Sequence, residues 1–206
     1  MSQEPYRIVV GYDYSELADG ALRRAFELAS REERGEVHVI HVIAPIVDML
    51  DVASAGAVTT PPLDLTAAYD ALEARIIERL SAWQDETKKS FSRLAIHVRT
   101  ETASSEVAQL ASDLDAELVV VGTHGRRGLR HLLLGSVAEA VVRQSPCPVL
   151  VVRPKAEANV PRIEPPCPDC VAARKASGGA ELWCERHSQR SGRRHTYLKT
   201  TGLNRS

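Results

Sequence analysis

The chain has 206 residues, with 26 Lys and Arg against 27 Asp and Glu, and it contains four cysteines. That length exceeds one typical domain, no stretch reaches the ~20 apolar residues of a membrane span, and the start lacks the layout of a signal peptide. Four cysteines are too few for a secreted disulfide scaffold of this length, so we expect a cytoplasmic protein that does not contact a membrane.

Apolar runs and helical periodicity alternate along the first three-quarters of the chain. A β-branched strand is predicted at 6–12, and the helix that follows has Asp13 or Ser15 as its cap and apolar residues at helical spacing. Further strands are predicted at 37–43, 94–98, 118–121 and 149–152, and further helices at 65–90, 105–114 and 136–144. Strict alternation with nearly all-apolar strands predicts an α/β fold, a doubly wound five-stranded parallel sheet with helices on both faces.

The charge is divided unevenly between two regions. Residues 160–206 hold nine Lys and Arg and four Asp and Glu, a net of +5, so the other residues hold 17 and 23, a net of −6. Five prolines between 154 and 168 mark a boundary between these regions. We therefore predict three segments: a domain over 1–154, a proline-rich linker over 155–166 and a basic Cys/His tail over 167–206.

A glycine-rich loop follows the fourth predicted strand. The spacing is Gly122-x2-Gly125-x9-Gly135-Ser136, and the last two residues open a helix. Glycines let backbone N–H groups approach an anion, and a helix N-terminus adds unpaired donors. The chain lacks the Gly-Lys-Ser/Thr of a Walker A loop, and the spacing differs from the dinucleotide fingerprint. The pattern therefore fits either a phosphate cradle or a purely structural turn.

The loop also resembles the nucleotide motif of ATP-binding universal stress proteins. The first strand and loop, Ile8 to Glu16, and the last strand, Cys147 to Val152, look like those of the same family, and the resemblance covers residues 1–154. It implies an adenine nucleotide, ATP or AMP with or without Mg²⁺, a regulatory role in the stress response, and a homodimer formed through the last strand.

The resemblance also assigns candidate nucleotide-binding residues. Asp13 would bond the ribose side of the nucleotide, and Val42 would pack against adenine. The residues implied to line the ribose and phosphates are Val121, Gly122 and Gly125, and those implied to hold the phosphate tail are Gly135, Ser136 and Val137. From the residues alone, Asp13 is equally well a helix cap and Val42 an ordinary core residue. The family often has a small residue where this chain has Tyr12 and Tyr14.

The tail carries residues at metal-ligand spacing. Cys167-x2-Cys170 is followed, after 13 intervening residues, by Cys184-x2-His187. Three thiolates and one imidazole suit tetrahedral Zn²⁺, so we predict a small zinc-knuckle-like extension. A redox-active cysteine pair and a disordered tail are the alternatives. The redox interpretation requires a helix start within a thioredoxin-like unit, which the sequence does not indicate. The surrounding arginines fit a protein partner or nucleic acid, or merely a solubilising tail.

These features favour a nucleotide-binding regulatory protein without committed turnover. The titratable candidates in the glycine loop are His124 and His131, and neither comes with an evident partner for acid–base catalysis. A slow ATP hydrolase or an adenylyl-transfer enzyme on the same scaffold remains an alternative. A third hypothesis is a metal-dependent interaction module, in which the tail makes the contacts and a dimeric core is the scaffold.

Overall fold

The computed structural model describes residues 4–43, 64–123, 135–153 and 167–188. Contacts between residues divide the chain into two compact units, Met1–Pro154 and Lys155–Ser206. No helix among the described residues is both long enough and apolar enough to cross a membrane.

The first unit is a five-stranded parallel sheet covered by four helices. Its strands are β1 (Tyr6–Gly11), β2 (Gly35–Ile43), β3 (Arg93–Thr100), β4 (Leu118–Gly122) and β5 (Val149–Val152). Its helices are α1 (Glu16–Ala29), α2 (Leu65–Thr87), α3 (Ala103–Asp113) and α4 (Ser136–Gln144). The order across the sheet is β3-β2-β1-β4-β5, and every pair is parallel. This confirms the predicted doubly wound α/β fold, with the strand order reversing between β1 and β4.

Alternate side chains of the strands build two separate apolar layers. One layer packs against α1 and α2 and includes Ile8, Val10, Val39 and Val120. The other packs against α3 and α4 and includes Val9, Ile40, Val119 and Val121. Because both faces of the sheet are covered, β1, β4 and β5 are nearly all apolar rather than apolar at alternate positions.

Two local features set the ends of the helices. Ser15 is the cap of α1, because its hydroxyl accepts the N–H of Ala18 at 3.1 Å. Asp13 supports that cap from outside the helix. The predicted helix 65–90 ends at Thr87, because Lys88 adopts a left-handed φ of 56° and its N–H closes the last turn on the Gln84 carbonyl.

The described part of the second unit consists of helices α5 (Pro168–Ala176) and α6 (Glu185–Ser188). Cys167 caps α5 and Pro168 occupies its first turn, where a missing N–H does no harm. Gly178 and Gly179 then turn the chain with φ of 61° and 94°, a conformation that favours glycine. Among residues 167–187, Cys170 alone is buried.

Candidate functional site

The carboxyl ends of β1 and β4 meet where the strand order reverses, which is the usual ligand position in such sheets. Val42 near the end of β2 and Val121 near the end of β4 both belong to the layer that faces α3 and α4. Val121 is buried and Val42 is partly buried. The structure therefore brings two of the predicted site residues to one face of the sheet.

The loop after β1 holds Asp13 in a fixed turn. Oδ1 of Asp13 accepts the backbone N–H of Ser15 at 3.1 Å and its hydroxyl at 2.6 Å. Of the two candidate caps that the sequence offered, Ser15 is the cap of α1, and Asp13 holds that cap instead of capping the helix itself. Since a carboxylate oxygen has more than one lone pair, this turn is compatible with a ligand contact as well.

Aromatic residues on either side of Asp13 form a cluster that the sequence did not reveal. His41 donates from Nδ1 to the Tyr12 carbonyl at 2.8 Å. Tyr14 has a φ of 66°, unusual for an aromatic residue. Its ring meets His41 at a centroid distance of 4.9 Å and Tyr12 at 5.4 Å, both edge to face. His41 lies 29 positions beyond Tyr12 in the sequence, so only the parallel pairing of β1 with β2 brings it to the two tyrosines.

The Tyr12 side chain ties this loop to two helices. Its hydroxyl donates to Asp19 Oδ1 at 2.5 Å and accepts from Arg75 Nε at 3.3 Å. Arg75 and Arg79 of α2 both reach Asp19 Oδ2, at 2.9 and 3.0 Å. Burial, together with the hydrogen bond to Asp19, raises the pKa of Tyr12 to about 12. The hydroxyl therefore remains protonated and acts as a structural donor.

The residues at the two ends of the glycine-rich loop, Thr123 and Gly135, are hydrogen-bonded to each other. The N–H of Gly135 donates to the Thr123 carbonyl at 2.7 Å, and the N–H of Thr123 donates to Val152 at 3.0 Å. Gly125, His124 and His131 lie outside the described residues. Helix α4 then starts at Ser136 without a side-chain cap, and both Ser136 and Val137 are exposed. This helix start offers unpaired N–H groups next to the loop.

Gly122 has a packing role that its sequence motif does not reveal. A Cβ atom at this position would lie 3.0 Å from the Leu17 Cβ and 3.1 Å from its carbonyl carbon. The end of β4 therefore approaches the start of α1 more closely than a larger residue allows. A substitution at Gly122 would disturb this packing, whether or not the residue contacts a ligand.

A polar cluster lies at the opposite, amino-terminal end of the strands. His38 is buried, and its Nδ1 lies 3.2 Å from His97 Nε2, while its Nε2 lies 3.4 Å from Glu36. Burial lowers the pKa of His38, and burial and the neighbouring His38 lower the pKa of His97 to about 4. The two rings line a cavity of about 850 Å³ whose walls carry both arginines and carboxylates.

The second unit gathers the four predicted metal ligands. The ligand atoms of Cys167, Cys170, Cys184 and His187 all lie within 4.8 Å of one another. Cys170 Sγ lies 3.6 Å from Cys184 Sγ and 3.2 Å from His187 Nδ1. Tetrahedral zinc with Zn–S bonds of about 2.3 Å sets thiolates about 3.8 Å apart, so the donors suit that ion.

Nearby groups favour negative charge on Cys167 but not on Cys170. Although the N–H of Cys184 favours the Cys170 thiolate, burial and the Cys184 and Cys167 side chains raise the pKa of Cys170. The N–H of Cys170 and other donors, including Arg186, lower the pKa of Cys167 to about 7. The N–H of Cys184 donates to Cys170 Sγ at 3.4 Å, and Arg186 lies 3.7 Å from Cys167 Sγ. The four cysteines are free thiols. Such donors would stabilise metal-bound thiolates as well as free ones.

The Cys167/Cys170 pair opens α5, a helix that the sequence analysis did not assign. The sequence signal was weak, since this helix is only nine residues long and has little apolar periodicity. Within residues 167–188 the structure nevertheless describes two short helices and no strand. The helix start therefore comes without the sheet of a thioredoxin-like unit.

Comparison with known proteins identifies relatives of the first unit. The model of the Universal stress protein family matches residues 6–153. The chain is 33% identical over 151 residues to a universal stress protein of Mycolicibacterium smegmatis, covering 72% of this chain and 46% of that protein. It is 30% identical over 158 residues to universal stress protein MJ0531 of Methanocaldococcus jannaschii, covering 73% of this chain and 84% of that protein. The chain thus spans less than half the length of its mycobacterial relative.

Solved structures show the same fold. Universal stress protein UspA from Lactobacillus plantarum superposes with a TM-score of 0.53 at 23% identity, covering 74% of this chain and all of that one. A universal stress protein in complex with cAMP superposes with a TM-score of 0.51 at 22% identity, covering 73% of this chain and 98% of that one. The family match ends at residue 153, before the Cys3His cluster.

Proposed function

Because the chain belongs to the universal stress protein family, we propose that its first unit binds an adenine nucleotide, ATP or AMP, and acts as a cytoplasmic regulatory protein rather than a turnover enzyme. The observation that carries the proposal is the junction at Thr123 and Gly135. There the two end residues of the glycine-rich loop are hydrogen-bonded to each other, directly before the uncapped start of α4. An anion at that helix start would meet unpaired N–H groups and the positive end of the helix dipole.

The neighbouring surface suits the rest of a nucleotide. Val42, which is only partly buried, offers apolar surface for a purine ring above the buried Val121, and Asp13 follows the end of β1, next to the point where the strand order reverses. A universal stress protein of the same fold has been solved in complex with cAMP. These observations support an adenine nucleotide whose base lies over the strand ends and whose phosphates point to Ser136.

We also propose that the chain forms a homodimer through β5. This strand is at the edge of the sheet, where β4 is its neighbour on one side. Val149 to Val152 are all partly buried rather than fully covered. An apolar edge strand favours pairing with another strand, and a second copy of the chain would supply it.

The nucleotide proposal is tested by titration of the purified full chain with ATP and AMP in a calorimeter. We expect Ser136→Asp to abolish binding because the new carboxylate repels phosphate, although the same charge favours the helix start. The matched control is Ser105→Asp, which places the carboxylate in the first turn of α3, where Ser105 is also exposed. Equal loss in both variants would indicate a general charge effect and contradict the assignment.

For the second unit we propose a structural zinc ion held by Cys167, Cys170, Cys184 and His187. The mutual distances of the four donor atoms carry this proposal. A bound zinc ion would supply the stability that this unit lacks, since its described part has one buried residue. The folded unit would then serve as an interaction module for a protein partner or nucleic acid.

Native mass spectrometry with elemental analysis tests the zinc proposal. We expect one Zn²⁺ per chain in the wild type and in Cys147→Ser, and none in Cys184→Ser. Cys147 is the matched control because it lies outside the Cys/His cluster and packs against the apolar layer that faces α3 and α4. Zinc retention by Cys184→Ser, or a wild type without zinc, would refute the site.

A further inference from the structure

We propose that His41 and Tyr14 are positioning residues that fix the direction of Asp13 for the ribose of the bound nucleotide. The inference rests on the proposed nucleotide site and adds two residues to which neither the glycine motif nor the resemblance assigns a role. Their contacts surround Asp13 on both sides along the chain.

The first contact fixes the peptide group that precedes Asp13. His41 donates from Nδ1 to the Tyr12 carbonyl at 2.8 Å, while the Tyr12 N–H donates to the Ile40 carbonyl at 2.9 Å. The Tyr12 carbonyl and the Asp13 nitrogen belong to one planar peptide unit. Holding the carbonyl therefore sets the plane from which the Asp13 side chain departs.

The second contact fixes the residue that follows Asp13. Tyr14 has a φ of 66°, and such a conformation in a bulky residue persists only where its surroundings enforce it. The enforcing contacts are the rings of His41 at 4.9 Å and Tyr12 at 5.4 Å. With Oδ1 of Asp13 also held by Ser15, the carboxylate is restricted at its backbone and at its tip.

Two further links connect this loop to the rest of the candidate site. The Tyr12 hydroxyl is held by Asp19 of α1 and Arg75 of α2, so the loop cannot shift as a unit. His41 is also next to Val42 in β2, whose side chain lies on the opposite face. The neighbouring residues His41 and Val42 therefore set the distance between the Asp13 carboxylate, which would bind the ribose, and the apolar surface that would lie beneath the base.

The test is a double-mutant cycle on nucleotide binding. His41→Phe keeps a ring for Tyr14 to contact and removes the Nδ1 donor. We expect it to weaken binding of AMP about tenfold in the wild-type background, the change expected for one lost hydrogen bond. In an Asp13→Ala background the same substitution should change AMP affinity less than twofold. A purely structural role would reduce affinity equally in both backgrounds.

A second variant, Tyr14→Gly, tests the inference even if His41→Phe fails to fold. Tyr14→Gly adopts the same positive φ without strain and removes the ring contacts, so we expect a folded chain with severalfold weaker AMP binding. The matched control is Arg23→Ala, which removes a bidentate ion pair between α1 and α2, with N–O distances of 2.7 and 2.8 Å, without touching the loop. That control should bind AMP as the wild type does.

The outcomes separate this inference from the function on which it rests. A wild-type chain that binds no adenine nucleotide overturns the proposed function and the inference together. A wild type that binds AMP, with His41→Phe and Tyr14→Gly binding equally well, overturns the inference alone. Equal losses in the Asp13 and Asp13→Ala backgrounds also overturn it, because the two residues would then not act through Asp13.

Discussion

Different interactions stabilise each of the two units of this protein. In the first unit, two layers of apolar side chains cover both faces of the sheet, and residues such as Leu22, Phe26 and Ile40 are almost completely buried. In the described part of the second unit Cys170 alone is buried, while Leu182 and Trp183 are 43% and 42% exposed. The first unit depends on burial distributed over many residues, whereas the proposed zinc ion would hold the second unit through four ligand atoms.

This difference predicts different responses to damage. A distributed core loses stability in increments, because each side chain contributes a few kcal/mol at most. A unit held by one metal ion loses its fold in a single step when the ion leaves. Each unit carries one of the two tryptophans, Trp83 in α2 and Trp183 in the tail, so the response of each can be followed separately.

The largest expected effect is from metal removal or Cys170→Ser. Both should unfold the second unit entirely, since the thiol of Cys170 contacts both Cys184 and His187. Amide hydrogen exchange read by mass spectrometry should show α5 and α6 without protection, while β1 and β4 exchange as slowly as before. Protection of α5 that survives a strong chelator would show that the unit folds without metal.

A smaller effect is expected from truncation of the core. Leu22→Ala should lower the free energy of unfolding of the first unit by about 2–5 kcal/mol, because it removes a fully buried side chain. Urea denaturation followed by Trp83 fluorescence, in a Trp183→Phe background, measures the change. Leu182→Ala, at an exposed position of the tail, is the control and should change this midpoint very little. Zinc content should stay the same in both.

The smallest expected effect is a pH dependence of the first unit. Because folding lowers the pKa of His97 to about 4, the unfolded chain takes up a proton first as the pH falls below about 6.5. The contribution of His97 to stability should therefore be constant above pH 6.5 and be lost as the pH falls from about 6.5 to about 4. The lowered pKa of His38 acts in the same direction.

His97→Gln tests this origin of the pH dependence, since glutamine does not titrate and can still donate to His38. Denaturant midpoints followed by Trp83 fluorescence at a series of pH values should fall less steeply for the variant than for the wild type. Identical slopes would assign the pH dependence to other groups. Both chains should be compared with metal present, so that the second unit stays folded at the upper end of the range.

The arrangement of the fold could be predicted from local patterns. The helix Ser136–Gln144 and the strand Val149–Val152 have the predicted bounds, because apolar periodicity and the turn residues around them agree. The clustering of Cys167, Cys170, Cys184 and His187 could also be predicted, because their spacing is that of metal ligands. Helix α5 was missed because nine residues with weak periodicity give little signal, and the contacts that favour it are with Cys184 and His187.

The sequence by itself determined the parallel α/β fold, the boundary between an acidic domain and a basic tail, and the residue types that a nucleotide and a metal would need. These follow from neighbours in the chain, where periodicity and motif spacing act directly. Only the tertiary structure decided that Leu17 of α1 lies close against Gly122, and that His41 holds the peptide before Asp13. Both facts depend on pairs brought together by the sheet and its covering helices, and no local pattern encodes such pairs.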